Sequence, residues 1–152
     1  MGIGYPEAIL LRYCGKKRKF GNTATIGRQS ILSSPLVNLA FDIESSIDWG
    51  HWHERLFIEK LGSMEVDSYD FSDYEGANKI FDFNEPIVTN DVYDTVIDFG
   101  SSEHVFNVSE SLKNIIRLTK INGTIIHALP ANNTCGHGLY QFSPELFLSL
   151  YS

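Results

Sequence analysis

The sequence predicts an α/β sandwich, with a mostly parallel sheet of about five strands and helices on both faces. Two observations lead there. Short runs rich in β-branched residues alternate with helical patterns along the chain, as a parallel sheet with crossover helices requires. The segment from Tyr93 to Leu129 also reads as strand, helix and strand in succession, a βαβ unit whose crossover is right-handed in nearly every fold. With 152 residues, 43% of them hydrophobic and 20% charged, the chain has the core-forming material for one folded domain.

The elements follow in order. Residues 1–22 read as a peripheral lead-in with a short helix around Glu7 to Tyr13, and residues 23–152 as the α/β domain. Thr23 to Gly27 is a short strand ending in a glycine, whereas the weakly patterned stretch Ser33 to Asp48 gives no element. Trp49 to Leu61 reads as a helix, with Trp52, Leu56, Phe57 and Lys60 on related faces and Gly62 as its stop signal. Met64 to Tyr69 is the second strand, ending at Asp70. Asn78 to Phe83 is the third, closed by Asn84-Glu85-Pro86. The fourth, Thr95 to Ile97, stops at Asp98.

Asn107-Val108-Ser109-Glu110 then has the spacing of a capping box, and Leu112, Ile115, Ile116 and Leu118 form one apolar stripe behind it. Lys120 closes that helix where a cation suits the dipole. Asn122-Gly123 ends it, and Thr124 to Leu129 is the fifth strand. Ser143-Pro144-Glu145 starts a last helix, a cap followed by proline at the first position.

The functional argument rests on strand ends. Open α/β sheets bind ligands in the crevice outside the carboxyl ends of their strands. Three strands end there on an acid: Asp70, Asp82 and Asp98. A carboxylate after one strand accepts the two hydroxyls of a ribose, and the next strand end reads an adenine edge. The polar turn after Asp98 delivers Glu103 and His104, and an imidazole so placed suits proton removal near neutral pH. The plainer alternative is that the pair caps the following helix. In Gly136-His137-Gly138 a second imidazole stands between glycines, with Tyr140 and Gln141 close by, which points to a substrate-side role. The alternative there is a buried, satisfied histidine in a well-formed loop.

Other chemistries are argued against. His51-x-His53 would bring two imidazoles together only on a strand, and with no third ligand evident no zinc site is expected. Cys135 has no orienting acid in view for nucleophilic work. A net charge of −7 disfavours a nucleic-acid groove, and Lys16-Lys17-Arg18-Lys19 reads as a solvated turn. No apolar run is long enough to span a bilayer. The expectation is a cytoplasmic protein without membrane or nucleic-acid partners.

Taken in order, a set of short segments resembles the class I S-adenosylmethionine (SAM)-dependent methyltransferases. They are Ile26-Gly27-Arg28-Gln29, the run from Val66 to Ala77, Phe81-Asp82-Phe83-Asn84-Glu85-Pro86 and Ile97-Asp98-Phe99-Gly100. Glu103-His104-Val105-Phe106-Asn107, Pro130-Ala131-Asn132-Asn133 and the run from Gly136 to Glu145 complete the set. The resemblance spans about Thr25 to Tyr151. It implies a Rossmann-like three-layer sandwich with strand order 3-2-1-4-5, and SAM as cofactor without a metal.

The resemblance also implies roles for individual residues. Gly27 passes under the methionine part of SAM, Asp70 holds the ribose hydroxyls, and Asp82 with the Phe83 backbone meets the adenine. Asp98, Gly100 and Ser101 line the methyl-donor side, while Glu103 and His104 face the acceptor; the substrate-side role of His137, Tyr140 and Gln141 rests on the glycine-flanked loop alone. The acceptor is an oxygen or nitrogen of a small molecule or sugar. The first-strand loop departs from the family pattern, because Arg28 and Gln29 follow Gly27 where further glycines are usual. Arg28 suits the methionine carboxylate instead. The family's terminal antiparallel hairpin has no counterpart before Ser152, so the fifth strand is expected as an edge open to a second copy of the chain. A methyltransferase-like binding or assembly module that has lost SAM is the alternative function.

Overall fold

The computed structural model describes residues 2–89 and 92–152. Five strands form one all-parallel sheet: β2 (Gly21–Ile26), β4 (Ser63–Asp70), β5 (Lys79–Ile80), β6 (Tyr93–Phe99) and β7 (Thr119–Ala128). Their spatial order is β5-β4-β2-β6-β7, with β2 central. Numbered by their own sequence within this sheet, that is the order 3-2-1-4-5. Two further strands, β1 (Gly2–Ile3) and β3 (Ser30–Ile31), pair in parallel as a separate small sheet.

Helices cover both faces. On one side lie α1 (Tyr5–Lys17), α2 (Ser34–Ala40) and the short α3 (Glu54–Leu56), which continues as a π-helical turn, Phe57–Leu61. Their Leu11, Val37, Leu56 and Phe57 are fully buried against Ile97 and Phe99 of β6. On the other side α4 (Val108–Leu118) packs Ile115 and Leu118 onto Ala24 and Ile26 of β2 and Val96 of β6. Successive residues of β6 therefore feed opposite layers, as strand geometry dictates. This is the three-layer α/β sandwich expected, with the strand order 3-2-1-4-5.

Several boundaries differ from expectation. The lead-in, of which Met1 lies outside the described residues, is not peripheral: Ile3, Ala8 and Leu11 are completely buried. Ser33 to Asp48 contains α2, whose start is signalled by the Ser33 side chain accepting from the Leu36 amide and by a proline in the first turn. The helix expected from Trp49 begins only at Glu54. Residues 49–53 are instead held by the β3 region: Ile31 donates to the His51 carbonyl at 2.7 Å and His53 to the Gln29 carbonyl at 3.2 Å. The third strand shrinks to Lys79–Ile80 because Asp82 accepts from the Asn84 amide at 2.9 Å, a local turn that competes with the ladder.

Candidate active site

The carboxyl ends of β2, β4 and β6 open into a cavity of about 330 Å³, within the range of small-molecule sites. It sits where the strand order turns back, the crevice in which open α/β sheets hold ligands. Gly27 and Arg28 reach it from β2, Tyr69 and Asp70 from β4, and Gly100, Ser101 and His104 from beyond β6. Asp82, Phe83 and Asn84 close the side beyond β5.

The floor is tightly built. Gly27 turns at φ 76°, and its amide extends the ladder by donating to the Tyr69 carbonyl at 2.7 Å. Ser101 Oγ donates to the Ile26 carbonyl at 2.5 Å and lies only 2.6 Å from where a Cβ on residue 27 would stand. Any other residue at 27 would meet both the left-handed backbone and that hydroxyl.

Arg28 and Gln29 do not fill the space. Arg28 stacks on the Trp52 ring at 4.4 Å, pairs through Nε with Glu54 at 2.6 Å, and donates Nη1 to the carbonyls of Glu75 and Gly76. Its charge is thus largely engaged at the rim. Gln29 folds back, donating Nε2 to the Ile26 and Gly27 carbonyls at 3.3 and 3.2 Å.

The remaining walls divide by polarity. Tyr69, Phe81 and Phe83 meet edge to face, with ring centroids 5.8 and 5.4 Å apart, and Ile26 and Val105 extend that apolar surface. Asp70 Oδ1 accepts from the Phe71 amide at 2.7 Å, and Asp82 Oδ1 accepts from both the backbone and side-chain amides of Asn84. Glu75 also lines the cavity. Three carboxylates against one arginine already paired to Glu54 make this a site for a cationic or neutral ligand and a poor one for a polyphosphate.

Asp98 is a correction. Expected on the donor side, it is wholly buried and does not line the cavity. Oδ1 accepts from the amides of Ser101 and Ser102 at 3.3 and 3.2 Å, and Oδ2 accepts from Ser102 Oγ at 2.7 Å and faces His127 Nδ1 at 3.1 Å. It shapes the turn that carries Ser101 and His104.

That turn becomes a short 3₁₀ helix, Ser102–His104, which drives the Glu103 side chain inward and leaves His104 half exposed. The Glu103 carboxylate is completely buried without a hydrogen-bond donor, among the described residues. Burial pushes its carboxyl above the ordinary carboxylate value, and the nearby Asp98 charge adds to this. Its closest polar neighbours are imidazoles: His137 Nε2 at 3.3 Å from Oε1 and His104 Nε2 at 3.8 Å. The two rings are 5.3 Å apart. His104 lines the first cavity, whereas His137 lines a second of about 330 Å³ with Leu129, Pro130, Thr134 and Glu7. The three groups thus stand between the two spaces.

Tyr140 and Gln141 line neither cavity. The Tyr140 hydroxyl donates to the Phe106 carbonyl at 2.7 Å, and Gln141 Oε1 accepts from Thr134. Both brace the loop that presents His137. Sequence reasoning missed Tyr69, Asn84 and Val105 as lining residues and Glu7 in the second cavity. Asn84 carried a signal, since an Asp-x-Asn turn at a strand end aims polar groups into the crevice.

Comparison of the chain with known proteins finds no matching family model, no similar curated protein and no similar solved structure.

Proposed function

We propose that this chain binds SAM in the first cavity and transfers its methyl group to an oxygen or nitrogen of a small molecule or sugar held towards the second. One observation carries the reading: a single cavity joins Gly27, Asp70, Asp82 and Ser101, contributed by separate strand ends. Its layout matches the ligand. The flat aromatic and aliphatic surface around Phe83 suits a purine, with Asp82 placed to accept its exocyclic amine. Asp70, one strand over, keeps an oxygen for the ribose diol. The surplus of carboxylates favours a sulfonium over the pyrophosphate of a dinucleotide, for which the first loop also lacks the glycine-rich cradle.

The chemistry is chiefly positioning. The acceptor atom attacks the methyl carbon in line with the carbon–sulfur bond, and the electron pair of that bond leaves with sulfur. The acceptor's proton passes to the imidazole side of the Glu103, His104 and His137 group, which lies between the cavities.

Binding of S-adenosylhomocysteine to the wild type and to Asp70→Asn and Asp82→Asn tests the assignment. Each variant removes a charged acceptor and should weaken binding about 10-fold or more while the thermal melt stays intact. Equal affinity in all three proteins would refute the placement of ribose and adenine.

A further inference from the structure

The Glu103 carboxylate is the least explained group in the molecule. It is fully buried, neither oxygen has a hydrogen-bond donor among the described residues, and two imidazoles point at it. A buried carboxylate in that condition is strongly disfavoured unless a proton or a cation meets it. No lysine or arginine pairs with it among the described residues; the groups that face it are His104 and His137.

Their spacing has a meaning. One donor atom from each of Glu103, His104 and His137 lies within 4.8 Å of the others. Two ligands of a tetrahedral ion bound at about 2.1 Å stand roughly 3.4 Å apart. The observed separations from Glu103 Oε1, 3.3 and 3.8 Å, bracket that value. From these distances and the orphaned carboxylate we infer that Glu103, His104 and His137 form a binding site for a first-row divalent cation of the Zn²⁺ type. The expectation of no metal rests on His51 and His53, which lack a third ligand, and on the family resemblance; Glu103 and His137, 34 positions apart, are united only by the fold.

The fold holds the third ligand in place deliberately. A Cβ on Gly138 would stand 2.7 Å from Glu103 Cγ and 3.0 Å from its carbonyl oxygen, so only glycine lets the loop lie against the 3₁₀ helix. The amides of Leu139 and Tyr140 then donate to that same Glu103 carbonyl at 2.8 and 3.3 Å. Loop 136–141 is in this way stapled to the residue its histidine faces. Two nitrogens and one oxygen suit a borderline ion rather than Ca²⁺ or Mg²⁺. Both imidazoles are partly exposed, 51% and 43% of their side-chain surface, so the ion keeps open positions facing the cavities. An acceptor hydroxyl bound there would be acidified by the ion and lose its proton to solvent; the imidazoles take that proton, as proposed above, only in the metal-free chain.

The site does not depend on methyl transfer, and its test uses metal alone. Tag-free, chelator-stripped protein is titrated with Zn²⁺ by calorimetry and with Co²⁺ by visible absorption, in the absence of SAM. One ion per chain is expected, with the Co²⁺ bands of a four-coordinate nitrogen and oxygen set. His137→Ala and Glu103→Gln should each weaken binding by more than about 100-fold, since loss of a direct ligand exceeds the cost of outer-sphere changes. Gly138→Ala should weaken it with all three ligands still present, and His51→Ala should leave it unchanged. Circular dichroism confirms that each variant is folded; His137→Ala, at an exposed loop position, keeps the test valid if Glu103→Gln does not fold. Wild-type protein that takes up no Zn²⁺, or the same affinity in His137→Ala, would overturn the site. Thiolate charge-transfer bands with Co²⁺ would place the ion on Cys135 and overturn it equally.

Discussion

His53 shows how a single side chain ties the sheet to its covering layer. It is fully buried, its Nδ1 lies 3.0 Å from the Gln29 carbonyl and its Nε2 3.4 Å from Thr25 Oγ1, and its ring meets Phe57 edge to face at 4.7 Å. Burial lowers its pKa from the ordinary 6.5; Glu54 opposes that shift and Arg28 reinforces it. Below pH 6.5 the unfolded chain therefore binds a proton that the folded chain refuses, and stability falls as pH falls. Urea unfolding between about pH 7.5 and 5 should show this loss, at most about 1.4 kcal/mol per pH unit, and His53→Gln should remove that share of the slope. An unchanged slope in the variant would show that His53 titrates alike in both states. The strand-end acids teach a related lesson. Asp70, Asp82 and Asp98 look equivalent in sequence, yet two line the cavity and the third is consumed by the amides of Ser101 and Ser102. Which role an acid takes depends on where the following turn points its amides, and sequence pattern does not encode that direction.

Helix α4 was the element most open to sequence reading, and its two ends differ in how well they could be read. Its start is where Asn107 stands: Oδ1 accepts from the Glu110 amide at 3.4 Å. Asn107 also pairs with Asn84, its amide donating to Oδ1 at 2.8 Å and its Nδ2 to the carbonyl at 3.2 Å, which ties the helix to the cavity wall. Asn107→Ala should cost about 1 kcal/mol of stability by thermal or urea unfolding, and should also weaken SAM binding by loosening Asn84. A stability loss with affinity unchanged would separate the cap from the site. The far end falls two residues before Lys120. Thr119 turns extended with its Oγ1 on the Ile115 carbonyl at 2.7 Å, and Lys120 pairs with Asp94 at 3.1 Å instead of the helix dipole. Asn122 and Gly123 sit inside β7, where the register jumps from Tyr93↔Thr119 to Thr95↔Thr124 and Asn122 adopts φ 63°. An Asn-Gly pair signals a left-handed backbone; a helix end and a strand irregularity use that conformation alike, so the sequence could not choose between them.

At the scale of the whole molecule, the alternation of elements announces a parallel sheet with helices on both faces, whereas the strand order 3-2-1-4-5, which the sheet has, is implied by the family resemblance and not by the alternation. What alternation cannot encode is which distant segments converge. The Gly136–Gln141 loop meets the 3₁₀ helix after β6, and Glu7 from α1 reaches the second cavity, both through contacts made only when the layers close. Among the described residues β7 pairs on one side only, and no helix is long and apolar enough to cross a membrane. Calorimetric titration of the wild-type chain with SAM, with Asp70→Ala as control, decides whether the first cavity holds SAM. One site per chain is expected, with affinity in the micromolar range and loss of the heat in Asp70→Ala. No heat from folded, monodisperse wild-type protein, together with no shift in its melting temperature at saturating SAM, would contradict the claim and leave the chain as a binding or assembly module on the same sheet.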